Sequence, residues 1–311
     1  MTARVGLVWA FAFVLLEAIQ FVFFGNVFQR VSSVLFGALV LGTTVAAFVG
    51  WTAVYRSSQL QRAFSMPWLL LAINVTALLS WLMFLMAVQL IEPAVAYALG
   101  AGAMPLAAWA AHQLGIPEGE AMRNRMEAIG NTLIGAALVY LLLITTFGAS
   151  GFTRGGAGMA TLGALLALTE GALFTWLLIL CQRIDRAGVK PGALFGLRFP
   201  LYVLTAGTLA AMGFDAKEAV PWSELAVIVA LGLLLIVPPL YALQQAVSHL
   251  STLTISAITA LGPFFIFALQ MAEGRVSYST PTLIGLGIYY VAAITTALGA
   301  LKASRGAGRT P

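Results

Sequence analysis

Thr132-Leu133-Ile134-Gly135, followed by Tyr140 and then Ile144-Thr145-Thr146, recurs as Thr282-Leu283-Ile284-Gly285, Tyr290 and Ile294-Thr295-Thr296. Both copies lie in long apolar stretches, so the chain reads as an internal duplication of a hydrophobic unit. Many transporters are built from such repeats, with the substrate site at the interface between them. Transport is therefore the first hypothesis.

The correspondence extends outward from this motif. Glu17 precedes Gln29-Arg30 by twelve residues, and Glu170 precedes Gln182-Arg183 by the same twelve, with Phe21 matching Phe174. Leu35-Phe36-Gly37 matches Leu194-Phe195-Gly196, and Pro105 matches Pro263. Two units follow, 1–150 and 151–311.

The chain of 311 residues is 61% hydrophobic and 9% charged, with a mean hydropathy of +0.97. A water-soluble domain carries about 25% charged residues, so a soluble fold is excluded, and apolar runs of about 20 residues match a bilayer core. Ten such runs can be marked: 5–25, 33–54, 67–90, 94–114, 127–148, 158–181, 193–213, 224–243, 250–270 and 280–301. The expected fold is thus an all-α membrane protein of ten transmembrane helices arranged as two five-helix repeats. An odd number of helices per unit makes the second enter from the opposite side, an inverted repeat. The first run, close behind Arg4, reads as a retained helix.

Lys and Arg in alternate loops set the orientation. Eleven lie on the side of the N-terminus (Arg4, Arg56, Arg62, Arg123, Arg125, Arg183, Arg186, Lys190, Lys302, Arg305 and Arg309). Four lie opposite (Arg30, Arg154, Lys217 and Arg275), and Arg198 falls within a span. Both termini are expected in the cytoplasm. The net charge of +5 describes loops beside lipid and not a nucleic-acid surface. Cys181 is the only cysteine, which excludes an intrachain disulfide or a cysteine metal cage.

Five-plus-five apolar helices, positive inside, with proline in the fourth and ninth spans, resemble the drug/metabolite transporter superfamily and within it the EamA-type members. Glu92-Pro93-Ala94-Val95-Ala96 leading to Met104-Pro105-Leu106 resembles that family's fourth helix, and Ser251 to Gly262-Pro263-Phe264 its ninth. The resemblance covers essentially the whole chain. It implies a central cavity lined by spans 1–4 and 6–9, peripheral spans 5 and 10, a bacterial cytoplasmic membrane, and mostly export of small metabolites or amino acids. Two departures stand out. Glu17 occupies a first-helix place where relatives commonly carry a small or amide polar residue. An arginine of the second helix is replaced by Leu39, leaving only its second-half equivalent, Arg198.

Glu17 and Glu170 both fall near the middle of their spans, Glu17 within ~5 Å of the midplane at the helical rise per residue. A carboxylate at that depth costs several kcal/mol unless it faces water or a partner. Each is therefore a candidate for proton coupling or for binding a substrate ammonium; the alternative is a protonated carboxyl tying helices together. Arg198 either snorkels to the cytoplasmic surface or points inward to a substrate carboxylate. Gln20 shares a helix face with Glu17. Asn74, Trp81, Tyr97, Trp176, Tyr241 and Gln245 complete the candidate substrate-binding set, with Trp81, Phe84 and Trp176 as candidates for an aromatic wall; as amides and aromatics in membrane helices they also suit packing and interhelical hydrogen bonds. Two carboxylates and one guanidinium suit a zwitterion, so the expected activity is proton-coupled export of an amino-acid-like metabolite. Cation or drug efflux, or uptake, is the alternative within the same fold.

An intramembrane enzyme is the rival from another class. It requires a nucleophile with its base, or a metal site, at one depth. His112 and His249 lie near helix ends without acidic neighbours at ligand spacing, and Lys190, Lys217 and Lys302 lie in loops or at the terminus. No enzyme activity, metal or cofactor is expected. No phosphate-binding loop of the GxxxxGK type is present, so an ion gradient, the substrate gradient or a separate subunit must drive transport. The expected partners are a small-molecule substrate and the bilayer, with no nucleic acid. A monomer is expected, with a homodimer left open.

Overall fold

The computed structural model describes residues 2–307 except Glu120, Ala219, Ser251 and Arg275, and contains thirteen helices and no sheet among the described residues. Arg275 and Arg309 of the charge count, and Ser251 of the ninth-span pattern, lie outside the described residues. The first half of the chain forms α1 (Thr2–Val27), α2 (Ser33–Tyr55), α3 (Ser57–Phe64), α4 (Pro67–Leu90), α5 (Pro93–Gln113) and α6 (Arg125–Thr146). The second forms α7 (Gly156–Arg186), α8 (Pro191–Leu197), α9 (Pro200–Ala211), α10 (Trp222–Val247), α11 (Thr252–Thr259), α12 (Gly262–Glu273) and α13 (Thr280–Ala307).

Nine stretches among the described residues are long and apolar enough to cross a membrane: α1, α2, α4, α5, α6, α7, α8 with α9, α10 and α13. The chain is an integral, multi-pass membrane protein. Its outer surface carries Val8, Leu15, Val54, Val139, Phe147, Leu204 and Leu234 in exposed positions, as lipid-facing helices require. The remaining expected segment, 250–270, divides into α11 and α12, of eight and twelve residues, each too short to span alone. Pro263 accounts for the division. It has no N–H to donate, and its ring meets the carbonyl four residues back, at Thr259. The seventh segment is interrupted in the same way at Arg198-Phe199, just before Pro200. Pro105, by contrast, sits inside a continuous α5.

At the centre stands α5, the most buried of the spanning helices, with 78% of its most apolar window inside the protein. Its sequence explains the position: Ala94, Ala96, Ala98, Gly100, Ala101 and Gly102 offer little side chain, so neighbouring backbones come close. Its main partners are α7 and α12, while α4 packs on α7, α1 on α10, α2 on α8 and α9, and α6 on α13. α5 and α7 approach closely, for a Cβ built on Gly171 would stand 1.9 Å from the carbonyl oxygen of Gly100. Only a hydrogen fits there.

This contact yields a paired test. Gly171→Ala is expected to destabilise the folded protein by about 3 kcal/mol or more, because the atom it meets is backbone and cannot rotate away. Gly135→Ala in the duplicated motif, where an added Cβ meets nothing within 4 Å, is expected to change stability by under about 1 kcal/mol. Thermal unfolding of the two variants in one detergent measures the difference.

Candidate functional site

Beside α5 lies a narrow cleft whose empty volume of about 520 Å³ includes open solvent at its mouth. α1 contributes Glu17, Gln20 and Phe21; α4 contributes Ser80, Trp81 and Phe84; α7 contributes Glu170 and Phe174. Tyr97, Gly100, Ala101 and Met104 of α5 form one wall, and Leu240 of α10 and Thr259 of α11 complete it. Neither α6 nor α13 reaches it.

The two carboxylates meet one face of α5. Glu17 Oε2 accepts a hydrogen bond from the Tyr97 hydroxyl at 2.8 Å. Glu170 Oε1 accepts one from Ser80 Oγ at 3.3 Å, and its Oε2 lies where a Cβ on Gly100 would come within 2.7 Å. Tyr97 and Gly100 are three residues apart and so share a helix face. Tyr97 is itself held in place: 3% exposed, it packs against Phe21 at 4.8 Å between ring centroids and against Gly262, at the start of α12, where any side chain would collide with its ring. The break before α12 thus leaves room for the tyrosine that positions Glu17. Both glutamates are half-buried, open to the cleft.

Aromatic rings line much of the remaining wall. From Tyr97 the edge-to-face contacts run through Phe21 to Phe84 at 4.8 Å and on to Trp81 at 5.3 Å. Rings in this arrangement fix one another and present a rigid apolar surface.

Of the candidates from sequence, Glu17, Gln20, Trp81, Tyr97 and Glu170 come together here, whereas Asn74, Trp176, Arg198, Tyr241 and Gln245 do not. Asn74 fills the interruption between α8 and α9. Its Nδ2 donates to the Leu197 carbonyl at 2.8 Å and its Oδ1 accepts from the Leu201 N–H at 3.2 Å, pairing groups that the missing helical bonds release. Arg198 neither snorkels nor lines the cleft. It is 2% exposed, its Nη1 donates to Gln244 Oε1 at 3.1 Å, and its guanidinium lies over the rings of Phe195 and Phe199. Tyr241 packs on Trp9 and Phe195. Trp176 and Gln245 are half-buried elsewhere, and the Gln245 carbonyl takes the His249 Nδ1–H at 2.7 Å.

Phe84 of the expected aromatic wall is also present, and the structure adds Phe21, Ser80, Gly100, Met104, Phe174 and Thr259 to the site. Two of these carried a legible signal: Phe21 and Phe174 each lie four residues beyond a cleft glutamate, on the same helix face, and the repeat pairs them. Outside the cleft, Glu92 is fully buried at the start of α5. Its carboxylate accepts from Thr282 Oγ1 and the Gly151 N–H at 2.8 Å each, and from Gln270 Nε2, joining α5 to α12, α13 and the loop before α7. Burial pushes its carboxyl up, against the opposing effect of these three donors. Among the described residues no three His, Cys, Asp or Glu side chains gather as a metal site.

No family model matches the chain, and no curated protein matches it. A solved crystal structure does, with a TM-score of 0.62 at 16% identity, over 96% of this chain and 97% of the other. At that identity the likeness establishes the fold alone.

Two further outcomes follow from these contacts. Asn74→Leu is expected to cost about 2–3 kcal/mol of stability, since it orphans buried backbone groups, while leaving ligand affinity in the cleft within about twofold; unfolding and binding measured on one preparation separate the two effects. Glu118, in the loop after α5, pairs with Arg183 Nη2 at 2.8 Å, and that guanidinium holds its carboxyl below the ordinary carboxylate range. A depressed native value contributes stability that is present above the unfolded value of about 4.3 and is lost as pH falls below it. Arg183 is 37% exposed and screened by solvent, so Glu118→Gln is expected to cost about 0.5–1 kcal/mol at pH 7 and progressively less as pH falls below about 4, read from unfolding temperatures across that range.

Proposed function

We propose that the chain is a secondary transporter of the drug/metabolite type, moving a small molecule through the central cleft by alternating access with proton coupling. The observation that carries this reading is the convergence of Glu17 and Glu170, one from each half of the chain, on a single face of α5. Carboxylates at this depth are costly in lipid, and a pair facing one cleft supplies what exchange of protons for substrate needs: a group that is neutral when protonated and a ligand when not.

The packing supports two five-helix repeats with the boundaries 1–150 and 151–311. Exchanging the halves turns the contact of α4 with α7 into that of α10 with α1, and the contact of α5 with α7 into that of α11 and α12 with α1. The pairs α2 with α8 and α9, α5 with α11 and α12, and α6 with α13 map onto themselves. In this reading α11 and α12 together form the tenth crossing, the positive-inside count puts both termini in the cytoplasm of a bacterial inner membrane, and rocking of one repeat against the other exposes the cleft alternately. Export is the direction that the family resemblance favours. The zwitterion reading needs a cation beside the carboxylates, and Arg198 does not line the cleft.

Reconstituted in liposomes with an imposed pH gradient, the protein is expected to move protons with substrate. Glu17→Gln and Glu170→Gln are each expected to lower pH-driven flux by 100-fold or more, a loss typical of an essential proton-transfer group. Unchanged proton coupling in both variants would sink the assignment.

A further inference from the structure

We infer that Ser33, Gln89, Asp215 and Lys217 form a latch between the two halves of the chain, and that the structure is the state in which the cleft is shut at the end of the bundle bearing the α1–α2 and α9–α10 connections. This rests on the reading of the cleft as the transport site and deepens it by naming the groups that must part when the cleft opens at that end.

The four side chains close a ring. Asp215 Oδ2 accepts from the Ser33 N–H at 2.8 Å, one of the free donors in the first turn of α2, and from Ser33 Oγ at 2.9 Å. Ser33 Oγ accepts in turn from Gln89 Nε2 at 2.7 Å, and Lys217 Nζ donates to Gln89 Oε1 at 3.3 Å and to Asp215 Oδ1. Ser33 and Gln89 belong to the first half, at the start of α2 and the end of α4, whereas Asp215 and Lys217 lie between α9 and α10 in the second. Burial decides how firmly such links hold. Ser33 and Gln89 are buried, and the side chains of Lys217 and Asp215 are only 14% and 13% exposed, so the network is sheltered from competing water. The nearby pair of Arg30 and Glu224 also joins the halves, but at 62% and 44% exposure it contributes little. Asp215 is moreover the only non-glycine residue with positive φ among the described residues, at 55°. Backbone of that kind persists where its surroundings hold it and is typical of switch segments; the bonds from its carboxylate to α2 supply the hold.

Between the ring and the cleft lies a plug of aromatic side chains. Phe24, Phe28 and Phe36 are each fully buried, with centroids 4.9 to 5.4 Å apart, and Phe24 reaches Phe84 of the cleft wall at 6.4 Å. Phe36 is three residues beyond Ser33, so plug and ring are successive layers along α2. From the second half α10 seals the plug, since a Cβ built on Gly232 would collide with the Phe36 ring. Opening this end requires α10 to withdraw from Phe36. The segment leading into α10 carries Asp215 and Lys217, and the latch breaks with that movement.

The test uses the full-length protein in sealed membrane vesicles of both orientations. In a Cys181→Ala background, Ser80→Cys places a single thiol in the cleft, and its reaction with a membrane-impermeant cationic methanethiosulfonate is timed from each side, after unfolding temperatures show that each variant folds. With the latch intact the thiol is expected to react about tenfold more slowly from the α1–α2 side than from the other. Asp215→Asn and Lys217→Met are each expected to raise the slow rate about tenfold, and Arg30→Ala to change it by less than about twofold. Equal rates from the two sides with the latch intact, or no rise in either latch variant, overturns the inference. Both results leave proton-coupled transport standing, because that reading fails only on the flux measured with the Glu17 and Glu170 variants.

Discussion

The backbone contact between Gly100 on α5 and Gly171 on α7 is the constraint from which the cleft follows. With a Cβ at Gly171 the helices would have to part, since that atom would stand 1.9 Å from the Gly100 oxygen. Lipid tails offer helices no hydrophobic drive to associate, so close packing between small residues has to supply the attraction. Glu170 immediately precedes Gly171, and the approach that the glycines permit carries its carboxylate onto α5 beside Gly100, one turn from Tyr97 and hence from Glu17. Two carboxyl groups from matching positions of the two repeats, far apart along the chain, are thereby brought to a single face.

Around this contact the helices with interruptions serve different ends. Before α12 the missing turn makes room for the Tyr97 ring, which presents its hydroxyl to Glu17. Between α8 and α9 the released backbone groups are taken up by Asn74, and the adjacent Arg198 is packed among aromatic rings. Glu92 ties the start of α5 to α12 and α13 through a fully buried carboxylate with three donors, so the central helix is fixed at its end as well as at its middle. A carboxyl group with donors on both its oxygens is far cheaper to bury than a lone charge.

Most of the architecture was legible in the sequence because it depends on composition and length. Nine of the ten apolar segments appear as spanning stretches, the seventh of them interrupted at Arg198-Phe199, whereas 250–270 does not, because hydropathy averages over Gly262-Pro263 and the helix does not. In the cleft the glutamates stood out because a carboxylate in an apolar run has few structural uses. The aromatic wall was legible in part: Trp81 and Phe84, named for it, line the cleft and Trp176 does not, whereas Phe21 and Phe174 have the same hydropathy whether they face lipid, core or cavity. For Asn74 and Arg198 polarity within a span signals a need for a partner, which for Asn74 is the broken neighbouring helix, the interhelical role open to it from sequence, and for Arg198 is Gln244 with a pair of rings. Glu92 was quoted only as part of a motif, since its partners Gly151, Gln270 and Thr282 lie far along the chain.

The central claim is that Glu17 and Glu170 act on one site and not as two separate buried carboxyls. Titration of 13C-labelled glutamate side chains by NMR in nanodiscs, comparing the wild-type protein with the single Gln variants, tests it most directly. Groups that share a site titrate as a coupled pair, so the titration curve of each carboxyl should change when the other is neutralised. Curves for Glu17 and Glu170 that remain superimposable with and without the partner would contradict the account.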